Sequence, residues 1–385
     1  MKLKQLMNDF LRDYLKENDI KFEDWSINVS NQDNFGDYSS NIALKLTKQL
    51  KESPIKIANS IANHKNNSSK IFTLSASKPG FINFHISNDY YLKALDQILK
   101  EGENFGRKKV LNKSANVEFV SCNPTGPLTV GHGRQAILGD MVSNILTWNG
   151  YNVTREYYYN DAGKQMRVLA ESCYAKYAQQ IGKEIDMPEN GYIGTYIDEI
   201  ALKIVERHGK DLKSNDPIFR DFTEKEIFSD IKNTLESIGI KFDVFSKEGT
   251  FYKNGAINDI LKKFQEKGLS YKKDGAVWFK TSGLGKKEDK VLVKSSGEPT
   301  YRLPDIAYHA DKIDRGFDLI VDIFGADHID TYPDVLLGLK SLDKKTSHIK
   351  VVIHQFVTIK KGGEIVKMST RKANFITLNE LKSQL

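Results

Sequence analysis

A segment rich in proline and glycine separates a β-rich run from an apolar helix pattern in the first half of this 385-residue chain. It reads NPTGPLTVGHGRQAILGD from residue 123 to 140 and follows the run ANVEFVS. Apolar residues then recur at helical spacing as far as the WNG at residues 148–150, after which NVTREYYYN is β-rich again. The order strand, loop, helix, strand predicts a βαβ unit of a parallel sheet.

A glycine-rich turn at this point of a βαβ unit indicates an anion site. The turn brings backbone N–H groups and the positive end of a helix to the carboxyl edge of the strands, so phosphate is the expected ligand. The segment contains neither the G-x-x-x-x-G-K-[ST] pattern of a P-loop nor the G-x-G-x-x-G pattern of a dinucleotide fold. The loop therefore belongs to neither of those two phosphate-binding classes.

Length and patterning indicate two domains and an insertion. We expect a small α+β domain over residues 1–105 and an α/β domain with a Rossmann-like parallel sheet over residues 106–385, with the charged segment EGENFGRKKVLNKS as a linker across that boundary. The runs FDLIVDIFGADH and IKVVIHQF predict two more buried strands of that sheet. The region from about 170 to 290 has mixed patterns and is expected to be an insertion.

Charge and cysteine content limit the class of protein. A formal net charge of +7 favours a polyanionic partner, although many proteins with such a charge bind none. Cys122 and Cys173 form neither a disulfide framework nor a zinc pattern, which fits a reducing cytoplasm. The N-terminal residues predict an amphipathic helix rather than a signal peptide, and no apolar run approaches the ~20 residues that cross a bilayer. We expect a cytoplasmic protein that has no membrane contact, no bound metal centre and no organic cofactor.

Two short motifs in this order resemble those of the class I aminoacyl-tRNA synthetases. TVGH at residues 129–132 is similar to their HIGH motif, and VKMSTRK at residues 366–372 is similar to their KMSKS loop. Five further segments resemble the arginyl members of that class: GDYSSNIA, PGFINF, VEFVSCNPTGPL, YRLPDIAYH and GADH. The resemblance covers nearly the whole chain.

The resemblance implies a two-step reaction. L-arginine reacts with ATP, a substrate accompanied by Mg²⁺, to give arginyl-adenylate, and the arginyl group then passes to the 3′ end of arginine tRNA. It also implies that the N-terminal domain contacts the tRNA, and we expect a monomer. The helical anticodon-binding domain of the family is expected to be absent, because the sequence ends at Leu385.

The resemblance also assigns residues to ATP. His132 is expected to be catalytic and to donate to the phosphates, Thr129 to bind ATP beside it, and Gly131 and Gly133 to let the nucleotide approach the backbone. The alternative interpretation of His132 is a polar residue at a helix start. The KMSKS-like loop, at about residues 360–375, is expected to close on the pyrophosphate. It contributes the catalytic residues Lys367 and Arg371, and Lys367, Met368 and Ser369 are expected to bind ATP.

Arginine recognition requires at least one buried carboxylate, because a guanidinium is always charged and prefers bidentate acceptors. Tyr301 and Asp305 are four residues apart, so on a helix they share a face. The family pattern Y-x-x-x-D makes them the first choice. Glu118 is the second acidic candidate, with a strand-end salt bridge as its alternative role. The resemblance further implies that Ser121 and Asn123 hold the amino-acid backbone and that Asp327 or His328 closes the other side.

A polar loop in the N-terminal domain is the candidate tRNA contact. NQDNFGDYSSN carries Asn34, Phe35 and Tyr38, whose amide and aromatic side chains could stack on or bond to an unpaired base. A plain turn rich in Asn and Asp is the competing interpretation. The run of tyrosines at residues 157–159 is expected to pack alternate members on the sheet.

The chain departs from both family motifs. Thr129 replaces the first His of HIGH, and Thr370 replaces the second Lys of KMSKS, which removes a cation. Our hypothesis is that a nearby lysine supplies the missing charge; the candidates are Lys108, Lys109, Lys113 and Lys372. Two other functions remain open: an adenylating enzyme with an acceptor other than tRNA, and an inactive tRNA-binding paralogue.

Overall fold

Two compact units divide the chain between Gly106 and Arg107. The computed structural model describes residues 2–64, 70–161, 163–361, 364–366 and 375–384.

The first unit is an α+β structure around a four-stranded antiparallel sheet of order β1-β2-β4-β3. Buried apolar residues of its first three helices pack with those of the sheet and form a core of their own. Its elements are α1 Lys2–Glu17, β1 Ile27–Val29, β2 Tyr38–Ser40, α2 Ile42–Leu50, α3 Pro54–Ala62, β3 Phe72–Ser77, β4 Phe81–Ile86 and α4 Asn88–Glu101.

The second unit is built on a five-stranded parallel sheet of order β12-β11-β5-β6-β7. Its strands are β5 Ser114–Glu118, β6 Asn152–Tyr159, β7 Val244–Lys247, β8 Ser270–Lys273, β9 Ala276–Phe279, β10 Lys290–Val293, β11 Leu319–Gly325, β12 Ile349–His354, β13 Ile359–Lys361 and β14 Glu364–Val366. Its helices are α5 Val130–Trp148, α6 Gly163–Gln180, α7 Thr195–His208, α8 Ile218–Glu236, α9 Glu248–Lys253, α10 Ala256–Glu266, α11 Arg302–Asp314, α12 Tyr332–Ser341 and α13 Leu378–Ser383.

The predicted βαβ unit is β5, α5 and β6, and it forms the centre of the sheet. Strand β5 pairs with β6 along one edge and with β11 along the other, and its residues 115–118 are all buried, as is typical of a central strand in a parallel sheet. Helix α5 approaches β5 closely at Gly139, where an added Cβ would lie 2.1 Å from Cγ of Phe119. The absence of a side chain at Gly139 therefore allows the helix to pack on the sheet.

The region from about 170 to 290 is interleaved with the sheet. It contributes β7, which pairs in parallel with β6 from Glu156↔Val244 to Tyr159↔Lys247. It also contains the first two strands of a separate three-stranded antiparallel sheet of order β10-β9-β8. The region expected to interrupt the sheet thus also supplies its edge strand.

The fold class predicted from the sequence is confirmed, since a parallel α/β sheet follows a small N-terminal α+β unit. Among the residues that the structure describes, none of the helices combines the length and the apolar character that crossing a bilayer requires.

Candidate functional site

A cavity of about 700 Å³ opens at the carboxyl ends of β5, β6, β11 and β12. This is the edge at which parallel α/β sheets bind ligands. Ten of the residues predicted from the sequence line this one cavity: Glu118, Ser121, Asn123, Thr129, Gly131, His132, Tyr301, Asp305, Asp327 and His328.

The TVGH motif forms the first turn of α5. Thr129 is the N-cap, and its backbone N–H donates to Nδ1 of His132 at 3.1 Å. Because that donor fixes Nδ1 as an acceptor, the imidazole carries its proton on Nε2. Burial lowers the pKa of His132 to about 4. His132 is thus both a helix-capping residue and a neutral hydrogen-bond donor of the cavity.

The two glycines of the motif have different surroundings. An added Cβ at Gly131 would meet only Oγ1 of Thr129, at 3.6 Å, so this position is open. At Gly133 it would lie 2.7 Å from Cδ1 of Leu378 on α13. The small size of Gly133 therefore serves the packing of α13, and Gly133 is not among the cavity-lining residues.

The KMSKS-like residues Lys367, Met368, Ser369 and Arg371 lie outside the described residues, as do Thr370 and Lys372. The described segments on either side of residues 367–374 are held in place by backbone pairing. The antiparallel hairpin of β13 and β14 ends at Val366. Ile376 O accepts from Val130 N at 3.2 Å, and Leu378 N donates to Leu128 O at 2.7 Å. The chain is therefore bonded to the TVGH motif directly after the KMSKS-like segment.

A strained turn follows β5. Val120 and Ser121 have φ angles of 67° and 42°, in a region that side chains, β-branched ones above all, rarely adopt. The Ser121 hydroxyl donates to Oε1 of Glu118 at 3.0 Å and accepts from Tyr158 N at 3.1 Å. The first bond ties the turn to the end of β5, and the second holds it against the neighbouring strand β6.

Asn123 bonds the loop after β5 to the residues that follow β6. Its Oδ1 accepts from Asn160 N at 3.0 Å, and its Nδ2 donates to Oε1 of Gln165 at 2.8 Å. The Asn123 amide thus fixes the residues that follow β6.

Glu118 is compensated by a lysine that the sequence did not single out. Nζ of Lys312, on α11, donates to Oε2 of Glu118 at 2.7 Å and also bonds to the Asp322 carboxylate. All three side chains are buried. Glu118, His309 and Asp322 bring potential metal ligands within 4.8 Å of one another, but the Lys312 ammonium bonds to both of those carboxylates. The salt bridge that was the alternative role of Glu118 is therefore present, with Lys312 as partner.

His309 links this charged group to Asp305. Its Nδ1 lies 2.8 Å from the backbone oxygen of Asp305, and its Nε2 lies 3.2 Å from Oδ2 of Asp322. Both partners are acceptors, so the doubly protonated ring satisfies both contacts. Burial by itself would lower the pKa of His309, but the Asp322 carboxylate outweighs it and raises the pKa above its ordinary value. Asp322 thus faces two cations, Lys312 and His309.

Two other carboxylates in the cavity have no such partner. Among the residues that the structure describes, neither Asp305 nor Glu248 forms an ion pair. Burial raises the pKa of Asp305 to about 6, although the charge of His309 opposes the rise, and the charge of Glu118 adds to it. Burial likewise raises the pKa of Glu248 to about 7, and the charges of Asp305 and Asp161 add to this. The cavity therefore holds two acidic groups whose charge a bound cation would stabilise.

Glu248 itself is held by hydrogen bonds. Its Oε2 accepts from the Tyr158 hydroxyl at 3.0 Å, and its Oε1 accepts from Nδ2 of Asn160 at 2.9 Å. The residue begins α9, and the backbone N of the next residue, Gly249, donates to Oδ1 of Asp161 at 2.7 Å.

The remaining predicted side chains lie at the exposed part of the cavity. Tyr301, just before the first residue of α11, is 70% exposed. Asp327 and His328 follow β11, and Nε2 of His328 lies 3.7 Å from Oδ2 of Asp327, with both side chains about half exposed. The His328 ring stacks on Phe324 with ring centroids 4.9 Å apart.

The candidate tRNA residues lie in the first unit. Asn34 and Phe35 are exposed in a short 3₁₀ turn over Asp33–Phe35. Tyr38 belongs to β2, where it is half-buried and packs against the core. Gly36 has a φ of 72°, and an added Cβ there would lie 2.6 Å from Phe84 O. The turn is thus fixed against β4 and presents Asn34 and Phe35 to solvent.

The hypothesis that Lys108, Lys109 or Lys113 supplies the missing cation is wrong. These residues precede β5 and lie at the amino edge of the sheet, where Lys108 N bonds to Trp148 O at the end of α5. Helix α5 has 19 residues and spans about 28 Å, and the cavity lies at its other end. No lysine side chain reaches across that distance.

Sequence reasoning missed four residues of this site: Tyr158, Glu248, His309 and Lys312. The packing of alternate tyrosines is confirmed, because Tyr157 and Tyr159 are buried in the core. The same alternation turns Tyr158 to the opposite face, where it lines the cavity. That alternation was the sequence signal for Tyr158, and His309 is the last residue of the family-like segment YRLPDIAYH, whereas Glu248 and Lys312 had no sequence signal.

Comparison with known proteins gives consistent matches. The family described as tRNA synthetases class I (R), catalytic domain, matches residues 94–384, and the family described as arginyl tRNA synthetase N terminal domain matches residues 1–86. The chain is 48% identical to the arginine–tRNA ligase of Desulfotalea psychrophila, over 93% of this chain and 65% of the relative. It is 43% identical to the arginine–tRNA ligase of Salinibacter ruber, over 98% of this chain and 72% of the relative. The chain thus spans about two thirds of the length of these curated relatives.

Solved structures agree in fold. A structure titled as a putative arginyl-tRNA synthetase from Campylobacter jejuni matches with a TM-score of 0.71 and 30% identity, over 78% of this chain and 66% of that one. The arginyl-tRNA synthetase of Thermus thermophilus matches with a TM-score of 0.62 over 92% of this chain and 66% of that one. At 17% identity, the second match shows the fold alone.

Proposed function

The chain belongs to the arginyl family of class I tRNA synthetases, and on this premise we propose that it activates L-arginine with ATP and transfers the arginyl group to the 3′ end of arginine tRNA. The observation that carries the proposal is the pair of cavity carboxylates, Asp305 and Glu248, that form no ion pair with described residues. Their raised pKa values mean that the cavity disfavours the charged forms of these carboxylates, which a bound cation would stabilise.

The guanidinium of arginine fits this pair. It is planar, always charged, and offers five N–H donors in a fixed arrangement that matches carboxylates. Lysine would present a single ammonium, and citrulline would present no charge at all. A neutral side chain would offer the two carboxylates no ion pair, so it would not stabilise their charged forms. Tyr301 remains our proposed packing contact to the plane of the guanidinium, and Ser121, Asn123, Asp327 and His328 remain our proposed contacts to the rest of the amino acid. Glu118 is a weaker candidate, because Lys312 already compensates it.

The chemistry requires no covalent enzyme intermediate. A carboxylate oxygen of arginine bonds to the α-phosphorus of ATP while the bond to pyrophosphate breaks, and Mg²⁺ accompanies the nucleotide. A ribose hydroxyl of the tRNA then bonds to the arginyl carbonyl carbon, loses its proton, and AMP leaves. Both steps are accelerated by positioning the reactants and stabilising phosphate charge. The proposed donors are Nε2 of His132 and the N-terminus of α5, with Lys367 and Arg371 as cations.

Partners and compartment follow from the same proposal. We propose Asn34, Phe35 and Tyr38 as contacts to arginine tRNA, and a monomer as the active form. Phe35 and Asn34 are exposed and so accessible to a base, whereas Tyr38 is half-buried. Both cysteines are free thiols, which is consistent with a reducing cytoplasm.

The proposal is tested by calorimetric binding of a stable arginyl-adenylate analogue beside its lysyl and citrullyl counterparts. We expect the arginyl compound to bind at least about a hundredfold tighter, which corresponds to about 2.7 kcal/mol. Equal affinities for the three analogues would show that no carboxylate of the cavity recognises the guanidinium, and the arginine assignment would then be abandoned. Binding avoids turnover, so it reports on the site independently of the tRNA.

Charging of arginine tRNA with labelled arginine tests the acceptor. Formation of the labelled ester supports the ligase assignment. Tight binding of the arginyl analogue without any binding of tRNA would favour an adenylating enzyme with a different acceptor.

A further inference from the structure

We propose that Tyr158 is a positioning residue for guanidinium recognition: its hydroxyl holds the Glu248 carboxylate in the orientation in which Glu248 binds the side chain of the substrate. This inference rests on the proposed function, because it takes arginine as the ligand of the cavity. It assigns a role to a residue of the tyrosine run, which the sequence motifs leave without one.

Tyr158 contacts both parts of the cavity to which arginine is assigned. Its backbone N–H donates to the Ser121 hydroxyl at 3.1 Å, on the side proposed for the amino-acid backbone. Its phenol hydroxyl donates to Oε2 of Glu248 at 3.0 Å, on the side proposed for the guanidinium. Tyr158 therefore contacts both ends of the proposed site, one through its backbone N–H and the other through its hydroxyl.

The ring of Tyr158 is fixed by aromatic packing. It stacks on Tyr308 with ring centroids 4.1 Å apart and an interplanar angle of 12°. Phe251 packs against both rings, at 6.5 Å from Tyr158 and 5.8 Å from Tyr308. A ring held on two sides places its hydroxyl at one position, and this limits the Glu248 carboxylate to one orientation.

The hydroxyl also acts on the charge of Glu248. The titratable groups that face this carboxylate are Asp161 beyond β6, Asp305 on α11, Tyr252 on α9 and Tyr158 itself. Burial and the two aspartates raise the pKa of Glu248, and the bond from Tyr158 opposes them. Burial and the nearby carboxylates raise the pKa of Tyr158 well above its ordinary value, so its hydroxyl keeps the proton it donates. Loss of that bond would thus leave a larger fraction of Glu248 protonated near neutral pH.

The structure offers a matched control within the same ring stack. The hydroxyl of Tyr308 is buried and has no hydrogen-bond partner among the described residues. Tyr158→Phe and Tyr308→Phe each delete one oxygen and keep both rings. Only the first deletes a bond to Glu248.

The experiment measures the Kd of L-arginine and of L-citrulline by calorimetry at several pH values between about 6 and 9, where Glu248 titrates. We expect Tyr158→Phe to weaken arginine binding about tenfold or more at pH near 7, since a bond to a charged group is lost. This loss of arginine affinity should be at least about threefold smaller near pH 9, where Glu248 is ionised even without the bond from Tyr158. Citrulline binding by this variant should change by less than about threefold, and Tyr308→Phe should match the unsubstituted protein within about twofold at every pH. ATP binding, measured on each variant, checks that the site is folded.

A double-mutant cycle is the second measurement. In a Glu248→Gln background, Tyr158→Phe should add less than about twofold, because the bond that it deletes acts through Glu248. Additive losses in the cycle would overturn the proposal, as would a loss of arginine affinity that is the same at every pH. Wild-type affinity of Tyr158→Phe at all pH values would also overturn it. By contrast, an unsubstituted protein that binds citrulline as tightly as arginine would contradict the proposed function itself.

Discussion

Nζ of Lys312 donates to Oε2 of Glu118 at 2.7 Å, at a place where neither side chain reaches solvent. A buried lysine is stable as an ammonium only if carboxylates compensate it, and Glu118 and Asp322 both do so. Burial would lower the pKa of Lys312, but these two carboxylates raise it above its ordinary value. Lys312 thus joins the neighbouring strands β5 and β11 directly beneath the cavity.

We therefore predict that Lys312→Met destabilises the second unit by about 3–5 kcal/mol, because two buried carboxylates lose their cation. Urea denaturation measures this. Lys262→Met is the control, since that lysine is 73% exposed and its pair with Glu266 is worth less than about 0.5 kcal/mol. A loss below about 1 kcal/mol for Lys312→Met would show that the buried pair is not a structural element of the site.

The two uncompensated carboxylates should dominate arginine affinity. Asp305→Asn and Glu248→Gln keep the shape of each side chain and remove its charge. Each is expected to weaken arginine binding at least about thirtyfold, or about 2 kcal/mol, while ATP binding is retained. Asp327→Asn should cost less than about fivefold, because the Asp327 side chain is 62% exposed. Equal losses for all three variants, measured by calorimetry, would contradict this ranking.

The affinity for arginine should fall in acid. The pKa of Glu248 is raised to about 7 and that of Asp305 to about 6, so both are charged above these values and neutral below them. Because the guanidinium binds the charged forms, affinity is full near pH 8 and is lost as pH falls through 7 and then 6. The expected loss is about a hundredfold between about pH 8 and pH 5.5. Citrulline, titrated in parallel, should show less than about a threefold change, and a flat pH profile for arginine would refute the assignment.

His132 should act as a neutral donor. Burial lowers its pKa to about 4, so its charge does not change between pH 6 and pH 8. His132→Ala is predicted to weaken binding of a non-hydrolysable ATP analogue about tenfold, the value of one neutral hydrogen bond. The ratio of variant to wild-type Kd should be the same at both pH values. A ratio that grows toward pH 6 would mean that His132 binds the phosphates as a cation.

The strand, turn and helix that carry the TVGH motif could be predicted from the sequence, because each is indicated by residues that are close together along the chain. A strand pattern, a proline- and glycine-rich turn and a helix pattern within residues 115–150 place TVGH at the sheet edge, and the structure confirms this arrangement. Tyr301 and Asp305 could be paired because they are four residues apart. Each of these inferences needs only neighbours along the chain.

The missed residues depend on contacts between distant parts of the chain. Glu248 reaches the cavity because β7 pairs with β6, and nothing in its own sequence context indicates that pairing. Lys312 follows an apolar helix pattern and would ordinarily be assigned to solvent; only the position of β11 beside β5 buries it. The incorrect choice of Lys108, Lys109 and Lys113 has the same origin. These lysines are close to β5 in sequence, but they precede its amino end, whereas the cavity lies at its carboxyl end.

A crystal structure of the protein with the arginyl-adenylate analogue tests the central claim most directly. We predict that the guanidinium lies between Asp305 and Glu248, with nitrogen-to-oxygen distances of about 2.7–2.9 Å to each carboxylate. A guanidinium that instead contacts Asp327 or solvent, with Asp305 and Glu248 left without a cation, would contradict the claim that these two cavity carboxylates recognise arginine.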